Sequence, residues 1–453
     1  MRKTVRGRYL LDIGNSLKSE RDVAGLSGRV RFRDDVDYSK ALLAVVGLVT
    51  AGVQLLRLLV TGDIFSKVWA EDGKILLGDA RAHGFSSLFY TYSGYASELP
   101  RGIALIGSWL PLDSYSAYCV VTSALVSALL AAFIFDRALR QIRSKGWAAV
   151  AAVVIGLGPA LRVESLGNII NLQWLLVYAA FWAVLGQGSE DSRSRQFLTV
   201  IVVFVAGIST PLTLLVFPAL FVRAGWWRQH RSSVLAICAA MAIQAGLIEF
   251  GSRDVVGVAR HPGLNILLLK QSLLGLAGYL PIPNYVTASI SVLIGAGIAY
   301  VWYRLRSQRD VVAALVAGLL LFVVTAGITG DVGYRYAATA DLFAVAALAL
   351  AAPHLSVPLK RFVALGMVSV ALIGFPATAY RLSGPSWPAG VASYSRGCAR
   401  GLQEIKVPVS PAGWGAVTLF CPKKSSFARL GHPEYRTGWS AHGPVDLSVI
   451  ENS

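Results

Sequence analysis

Charge is what this chain has least of. Only 15% of its 453 residues are Asp, Glu, Lys or Arg, against about 25% in an ordinary soluble protein, so the polar coat that water demands is missing. Histidine, cysteine and methionine are scarce as well, at 6, 4 and 3 residues. The histidines are scattered, and neither His-Glu-x-x-His nor Cys-x-x-Cys occurs, which argues against a zinc centre. The absence of a Gly-x-x-x-x-Gly-Lys-Ser/Thr loop disfavours nucleotide-driven transport by this chain alone, and there is no Gly-x-Ser-x-Gly elbow. Residues 1–40 lack an apolar h-region, so no cleavable signal is expected.

What is present is hydrophobic sequence, 55% of the chain, in repeated blocks of roughly 17–25 residues, the length that crosses a bilayer as helix. Backbone groups in lipid must be satisfied within the segment, so blocks of this length imply helices. The net charge of +17 does not point to nucleic acid. Lys and Arg fall in short segments between apolar blocks, as the positive-inside bias requires.

The expected fold is an all-α polytopic membrane protein of about eleven spans. They lie near 41–61, 113–136, 147–161, 172–187, 197–209, 211–224, 233–250, 287–303, 311–329, 337–353 and 362–379. Residues 1–40 read as a cytoplasmic basic segment, 41–380 as the transmembrane domain with a long first extracytoplasmic loop at 62–112, and 381–453 as an extracytoplasmic tail. The clusters Arg137/Arg140/Arg143/Lys145, Arg193/Arg195, Arg223/Arg228/Arg231, Arg304/Arg306/Arg309 and Lys360/Arg361 then share the N-terminal side, giving N-in/C-out. Ser209-Thr210-Pro211 breaks one stretch into two short spans or a kinked pair. The segment 264–282, interrupted by Lys270, reads as re-entrant or interfacial. Cys119 and Cys238 fall inside spans as small core residues. Cys398 and Cys421, in the tail, would pair in an oxidising compartment, the alternative being two free thiols.

The polar residues near the outer interface carry the candidate chemistry. Glu71-Asp72 adjoins an apolar helix end, where a carboxylate must face a wet cavity or find a cation. Neighbours on a helix point about 100° apart, so one carboxylate could take a proton while the other pairs with Arg or a divalent cation; both could equally be solvated loop charges. Arg162 and Glu164 close the third span. Asn168 and Asn171, at i and i+3, suit sugar hydroxyls or a helix end. Arg335, between Tyr334 and Tyr336, could clamp a phosphate or snorkel at the interface.

Taken together, Trp69-Ala70-Glu71-Asp72-Gly73, Tyr92-Ser93-Gly94-Tyr95, Pro100-Arg101, Glu164, Asn168, Asn171-Leu172-Gln173-Trp174, Gly333-Tyr334-Arg335-Tyr336 and the tail with Cys398, Pro411-Ala412-Gly413-Trp414 and Cys421 resemble bacterial membrane glycosyltransferases of the GT-C type. The resemblance runs from 41 to about 421 as short motifs between variable apolar sequence. It implies a polyprenyl-phosphate sugar as donor, an envelope glycan, lipid or protein as acceptor, and the bacterial cytoplasmic membrane as location. Glu71 or Asp72 would be the general base. Arg335, then Arg101 and Arg162, would meet the leaving phosphate, and Asn168 and Asn171 would orient hydroxyls. Many such enzymes carry a large outer domain after the last span; here the tail is only about 70 residues on the same span reading. A lipid-linked sugar flippase or other transporter is the competing class. It would ordinarily place its ionisable residues mid-membrane and show internal repeats, neither of which is evident.

Overall fold

A computed structural model describes residues 38–60, 62–92, 94–158, 166–188, 191–222, 226–250, 253–254, scattered positions between 289 and 305, 308–329, 334–375 and 384–421. The chain forms two compact units, Met1–Leu42 and Leu43–Ser453; of the first, only the start of helix α1 is described.

The second unit is mainly helical. Long helices are α1 (Tyr38–Val60), α4 (Tyr115–Ile142), α5 (Lys145–Leu157), α6 (Leu172–Leu185), α7 (Arg193–Ser209), α8 (Trp226–Phe250), α9 (Arg309–Thr329), α10 (Tyr334–Ala351) and α11 (Val357–Gly374). Among the described residues three helical segments are long and apolar enough to cross a membrane: Lys40–Val60, Leu112–Ile142 and His230–Glu249. Every other expected span except 287–303, most of which lies outside the described residues, also coincides with a helix, several of them shorter than a bilayer crossing. The break at Ser209-Thr210-Pro211 is real: α7 stops at Ser209, Thr210 is extended, and Pro211–Val222 continues as a 3-10 helix. Pro211 has no N–H to continue the α-helical ladder, and Pro218 removes a second donor. The segment 264–282 lies outside the described residues.

The helices are packed inside out relative to a water-soluble bundle. On α1, Thr50, Gln54 and Arg57 are buried while Leu48, Leu56 and Leu59 are exposed; on α4, Ser116, Ser123 and Ser127 are buried while Val121, Leu125 and Leu129 are exposed. Such a pattern suits helices whose outer solvent is apolar and whose contacts use small residues. Gly156 illustrates the closeness, since a Cβ there would stand 2.9 Å from the Thr50 carbonyl oxygen. Arg57 crosses the same seam, donating to the carbonyls of Gly156 and Gly158 at 3.0 and 3.3 Å. Helix α6 is buried along its whole length, as a helix that is apolar all round must be. Its Tyr178 and Phe181 meet Phe343 of α10 edge to face. Cys119 is buried, but Cys238 faces outward, contrary to its expected place in the core. An apolar exterior accommodates a thiol as readily as a core does.

The helices run between two differently built ends. At one, the segment expected to be an open loop is a chain of short elements: a π-helical turn Asp72–Leu77, α2 (Gly78–His83), a 3-10 turn Gly84–Phe89, strands β1 (Thr91–Tyr92) and β2 (Tyr95–Ala96), and α3 (Glu98–Ser108). β1 pairs antiparallel with β2 and parallel with β3 (Arg253–Asp254). The tail folds over these elements as α12 (Trp387–Ala399) and a hairpin of β4 (Glu404–Pro408) and β5 (Ala416–Phe420), registered Glu404↔Phe420 to Pro408↔Ala416. The opposite end holds the α4–α5 turn, residues 187–188 and 191–195, and the starts of α8 and α9.

Candidate functional site

The Trp-Ala-Glu-Asp-Gly motif is the floor of the loop-and-tail end. Asp72 is fully buried, and both its carboxylate oxygens accept backbone N–H groups, from Ile169 at 2.9 Å and Ile170 at 3.0 Å. Those amides belong to the turn that leads into α6. A carboxylate there satisfies donors the helix cannot use itself and sits favourably at the positive end of its dipole. The Asp72 carbonyl accepts the Tyr115 hydroxyl at 3.0 Å. Asp72 is therefore an anchor between the loop and two helices. Glu71, 2% exposed, is the other carboxylate of the pair, and adjacency on a helical turn sends it in a different direction.

The tail closes on the same motif. Ser410 N–H donates to the Val68 carbonyl at 2.9 Å, and Trp69 bridges Ser410. Lys67 Nζ donates to the Gly384 carbonyl, and the Trp387 indole donates to the Leu112 carbonyl at 2.6 Å. Gly73 is required by this closure, because a Cβ would come within 2.6 Å of Val409 Cγ1. Trp414 lies 6.5 Å from Trp69, ring centre to ring centre. Cys398 and Cys421 form a disulfide, Cα to Cα 5.4 Å, tying the end of α12 to the end of β5. Residues 384–421 of the tail thus form a folded cap. It also forces residues 62–112 and 384–421 onto one side of any membrane the helices cross.

Asn168 and Asn171 are both buried, but they lie in the turn ahead of α6 and not on one face of a helix. Asn171 Oδ1 accepts the Trp174 indole N–H at 3.2 Å, so this amide helps to fix the helix start. Gln173, in the first turn, donates to the Tyr95 hydroxyl at 3.0 Å. Arg162 and Glu164 lie outside the described residues. Arg335 and Tyr336 fall in the first turn of α10, and their side chains lie outside what is described.

Arg101 is buried on α3 and makes a 2.8 Å ion pair with Asp79 of α2 through Nη1, which also donates to the Ser87 carbonyl at 3.1 Å. Glu98, three residues earlier on the same helix, has its carboxyl pushed up to about 7 by burial, with Arg101 pulling weakly the other way. Asp79 and Glu98 were not singled out from sequence. The i, i+3 spacing of Glu98 and Arg101 was legible, but their burial was not. Among the described residues no three His, Cys, Asp or Glu side chains gather to hold a metal, and both oxygens of Asp72 accept backbone amides.

No protein-family model matches this chain, and no curated protein aligns with it.

Proposed function

We propose that this protein is a polytopic membrane glycosyltransferase of the GT-C type, with about eleven spans, N-in/C-out, in a bacterial cytoplasmic membrane. It would transfer a sugar from a polyprenyl-phosphate donor to an extracytoplasmic glycan, lipid or protein. The observation that carries the reading is a convergence. Trp69–Gly73, Asn168–Gln173, Tyr95–Arg101 and Ser410–Trp414, distant in sequence, meet at one end of a helical bundle with buried carboxylates and a buried guanidinium among them. Buried charge beside apolar helices is expensive and marks function more often than scaffold.

In this reading Glu71 is the general base and Asp72 the residue that positions it. The Glu71 carboxylate takes the proton of an acceptor hydroxyl, whose oxygen bonds to the anomeric carbon as the bond from that carbon to the phosphate oxygen breaks. The electron pair leaves on the lipid phosphate, which needs a cation to receive it; Arg101 and Arg335 are the candidates. Position on the membrane surface brings both the lipid donor and an outer acceptor within reach.

The test compares lipid-linked sugars and envelope glycans in wild-type cells, a deletion strain and a strain carrying an inserted, folded Glu71→Gln variant. Loss of the same sugar in both altered strains, with accumulation of its polyprenyl-phosphate donor, is expected. Normal glycans in the variant alongside a defect in the deletion would remove the transfer chemistry and leave a transporter or scaffold. Cysteine labelling at the exposed Asp113 and Glu404 from outside, and at Lys145 only after permeabilisation, tests the orientation.

A further inference from the structure

The first loop and the tail cap are packed in opposite senses. In the cap, Trp387, Tyr394, Val407, Val417 and Leu419 are buried, while Arg396, Arg400, Glu404 and Lys406 are exposed. That is the sense water imposes. Among the described residues of the cap, only Leu402 is a large apolar side chain left exposed. In the loop the order is reversed. Asp79, Ser87, Arg101 and Ser108 are buried, while Phe85, Phe89, Ile106 and Trp109 stand outside, Phe85 at 69% and Trp109 at 64% exposure. These four belong to one packed layer. Arg101 Nη1 on α3 donates at 3.1 Å to the carbonyl of Ser87, which lies between the two phenylalanines in sequence. Arg81 Nη2 on α2 donates at 2.8 Å to the carbonyl of Leu110, the neighbour of Trp109.

The reversal continues the one on α1 and α4, whose outer solvent is apolar. The layer joins that surface directly: the Phe65 carbonyl accepts the Ser116 hydroxyl at the start of α4, and Phe65 is itself exposed. Further along α4, Val121, Leu125 and Leu129 face outward. Four large apolar side chains in water would forfeit the burial that stabilises a fold, whereas aromatic side chains at a bilayer boundary gain from their position. We propose that residues 84–110 lie within the bilayer leaflet on the cap side, with Phe85, Phe89, Ile106 and Trp109 against lipid. The membrane surface then runs between this layer and the cap. Asp113, exposed shortly after Trp109, sits at the headgroups, within reach of water. The segment expected as an open external loop becomes an interfacial platform under the cap. The inference needs a membrane but no sugar transfer, so it stands apart from the glycosyltransferase reading.

The full chain, carrying Cys238→Ser to remove the exposed thiol, is reconstituted in phospholipid nanodiscs and spin-labelled at single cysteines. Phe85→Cys, Phe89→Cys and Trp109→Cys report on the layer, Leu125→Cys on the outward side of α4 and Lys406→Cys on the cap. Collisions with oxygen, which concentrates in lipid, are compared with those of a water-soluble nickel chelate. The three layer positions should favour oxygen by about threefold or more, as Leu125→Cys does, and Lys406→Cys should favour nickel. A nickel preference at the layer positions would place that face in water and overturn the proposal. Labels shielded from both reagents, with Leu125→Cys still open to oxygen, would reveal a protein on the face, such as a second copy, and overturn lipid as its occupant. Should the cysteine variants fail to insert, the wild-type protein is photolabelled with a diazirine-bearing phospholipid and digested. Peptides from 84–110 should then carry severalfold more label than peptides from 387–421; equal labelling overturns the proposal. Glu71→Gln enters none of these measurements, so a failed glycosyltransferase reading and a failed lipid face are told apart.

Discussion

The two ends of the helical bundle both bury arginine, and they satisfy it to different degrees. At the end formed by the α4–α5 turn and residues 187–188 and 191–195, Arg137 gives Nη1 to Asp191 at 2.8 Å and Nη2 to the Arg195 carbonyl at 2.8 Å. Arg140 reaches the other Asp191 oxygen at 2.7 Å, and Asp136 lies within 3.8 Å of both arginines' Nε atoms. Gly188 N–H also donates to Asp191, and Gln141 donates to Asp310 of α9. Asp191 is thereby saturated, and this cluster works as a latch between helices. At the loop-and-tail end Arg101 is held from one side and empty on the other. Equal burial therefore does not mean equal purpose. Arg137 and Arg140 leave only Nε without a hydrogen bond, each faced by Asp136, whereas Arg101 leaves both Nε and Nη2 without one among the described residues; the first network is nearly closed and the second is half open.

The largest effect should come from breaking the saturated end. Asp191→Ala leaves the buried Arg137 with only the 3.8 Å contact to Asp136 for a counter-ion and should cost on the order of 3–5 kcal/mol; thermal unfolding of the detergent-solubilised protein is expected to show most of the fold lost. Asp72 and Glu71 sharpen the contrast within the other end. Asp72→Ala abandons two buried amides and should destabilise by about 1–3 kcal/mol. Glu71→Gln should leave the melting temperature within a few degrees while transfer falls by about 100-fold or more. Equal thermal losses in the two variants would end the division of labour between them. Next comes the tail: Cys398→Ser should cost about 3 kcal/mol, on the entropy of opening a loop of this size, read as faster proteolysis of the cap.

The smallest effect is a pH dependence. Burial raises the Glu98 pKa from 4.5 to about 7, so the folded protein holds this proton more tightly than the unfolded chain. Its stabilising contribution is complete below pH 4.5 and disappears as pH rises to about 7. Glu98→Gln resembles the protonated form at every pH. The variant should therefore melt with wild type at pH 4.5 and progressively above it up to pH 7, with a constant gap beyond; a flat difference would show that Glu98 is not desolvated in the folded protein.

How far the sequence could be read depended on the range of the interaction. Apolar periods and their lengths fixed helices at 41–61, 113–136 and 233–250 to within a few residues at most ends, because a helix closes its own hydrogen bonds locally. The break at Ser209-Thr210-Pro211 was legible for the same reason, since a proline's missing N–H acts on its own turn. The acidic pair in the first loop was visible as an anomaly, a costly charge beside apolar sequence. That Asp72 is an anchor could not be seen, because the deciding amides belong to Ile169 and Ile170, nearly a hundred residues away. The Asn168/Asn171 spacing misled for a related reason: it assumes a helical face, whereas the chain turns there before α6 begins.

By itself, then, the sequence determined the solvent and the local backbone. Low charge and long apolar blocks demand an apolar surround, and residues in contact along one helix follow from spacing alone. Only the tertiary structure decided that the tail caps the first loop, that Gly73 must lack a side chain under Val409, and that Arg101 keeps one edge of its guanidinium open. Those facts depend on which groups from remote segments arrive at the same place and which donors they leave unmet. No local pattern encodes that, because desolvation and hydrogen-bond satisfaction belong to the assembled neighbourhood and not to the residue.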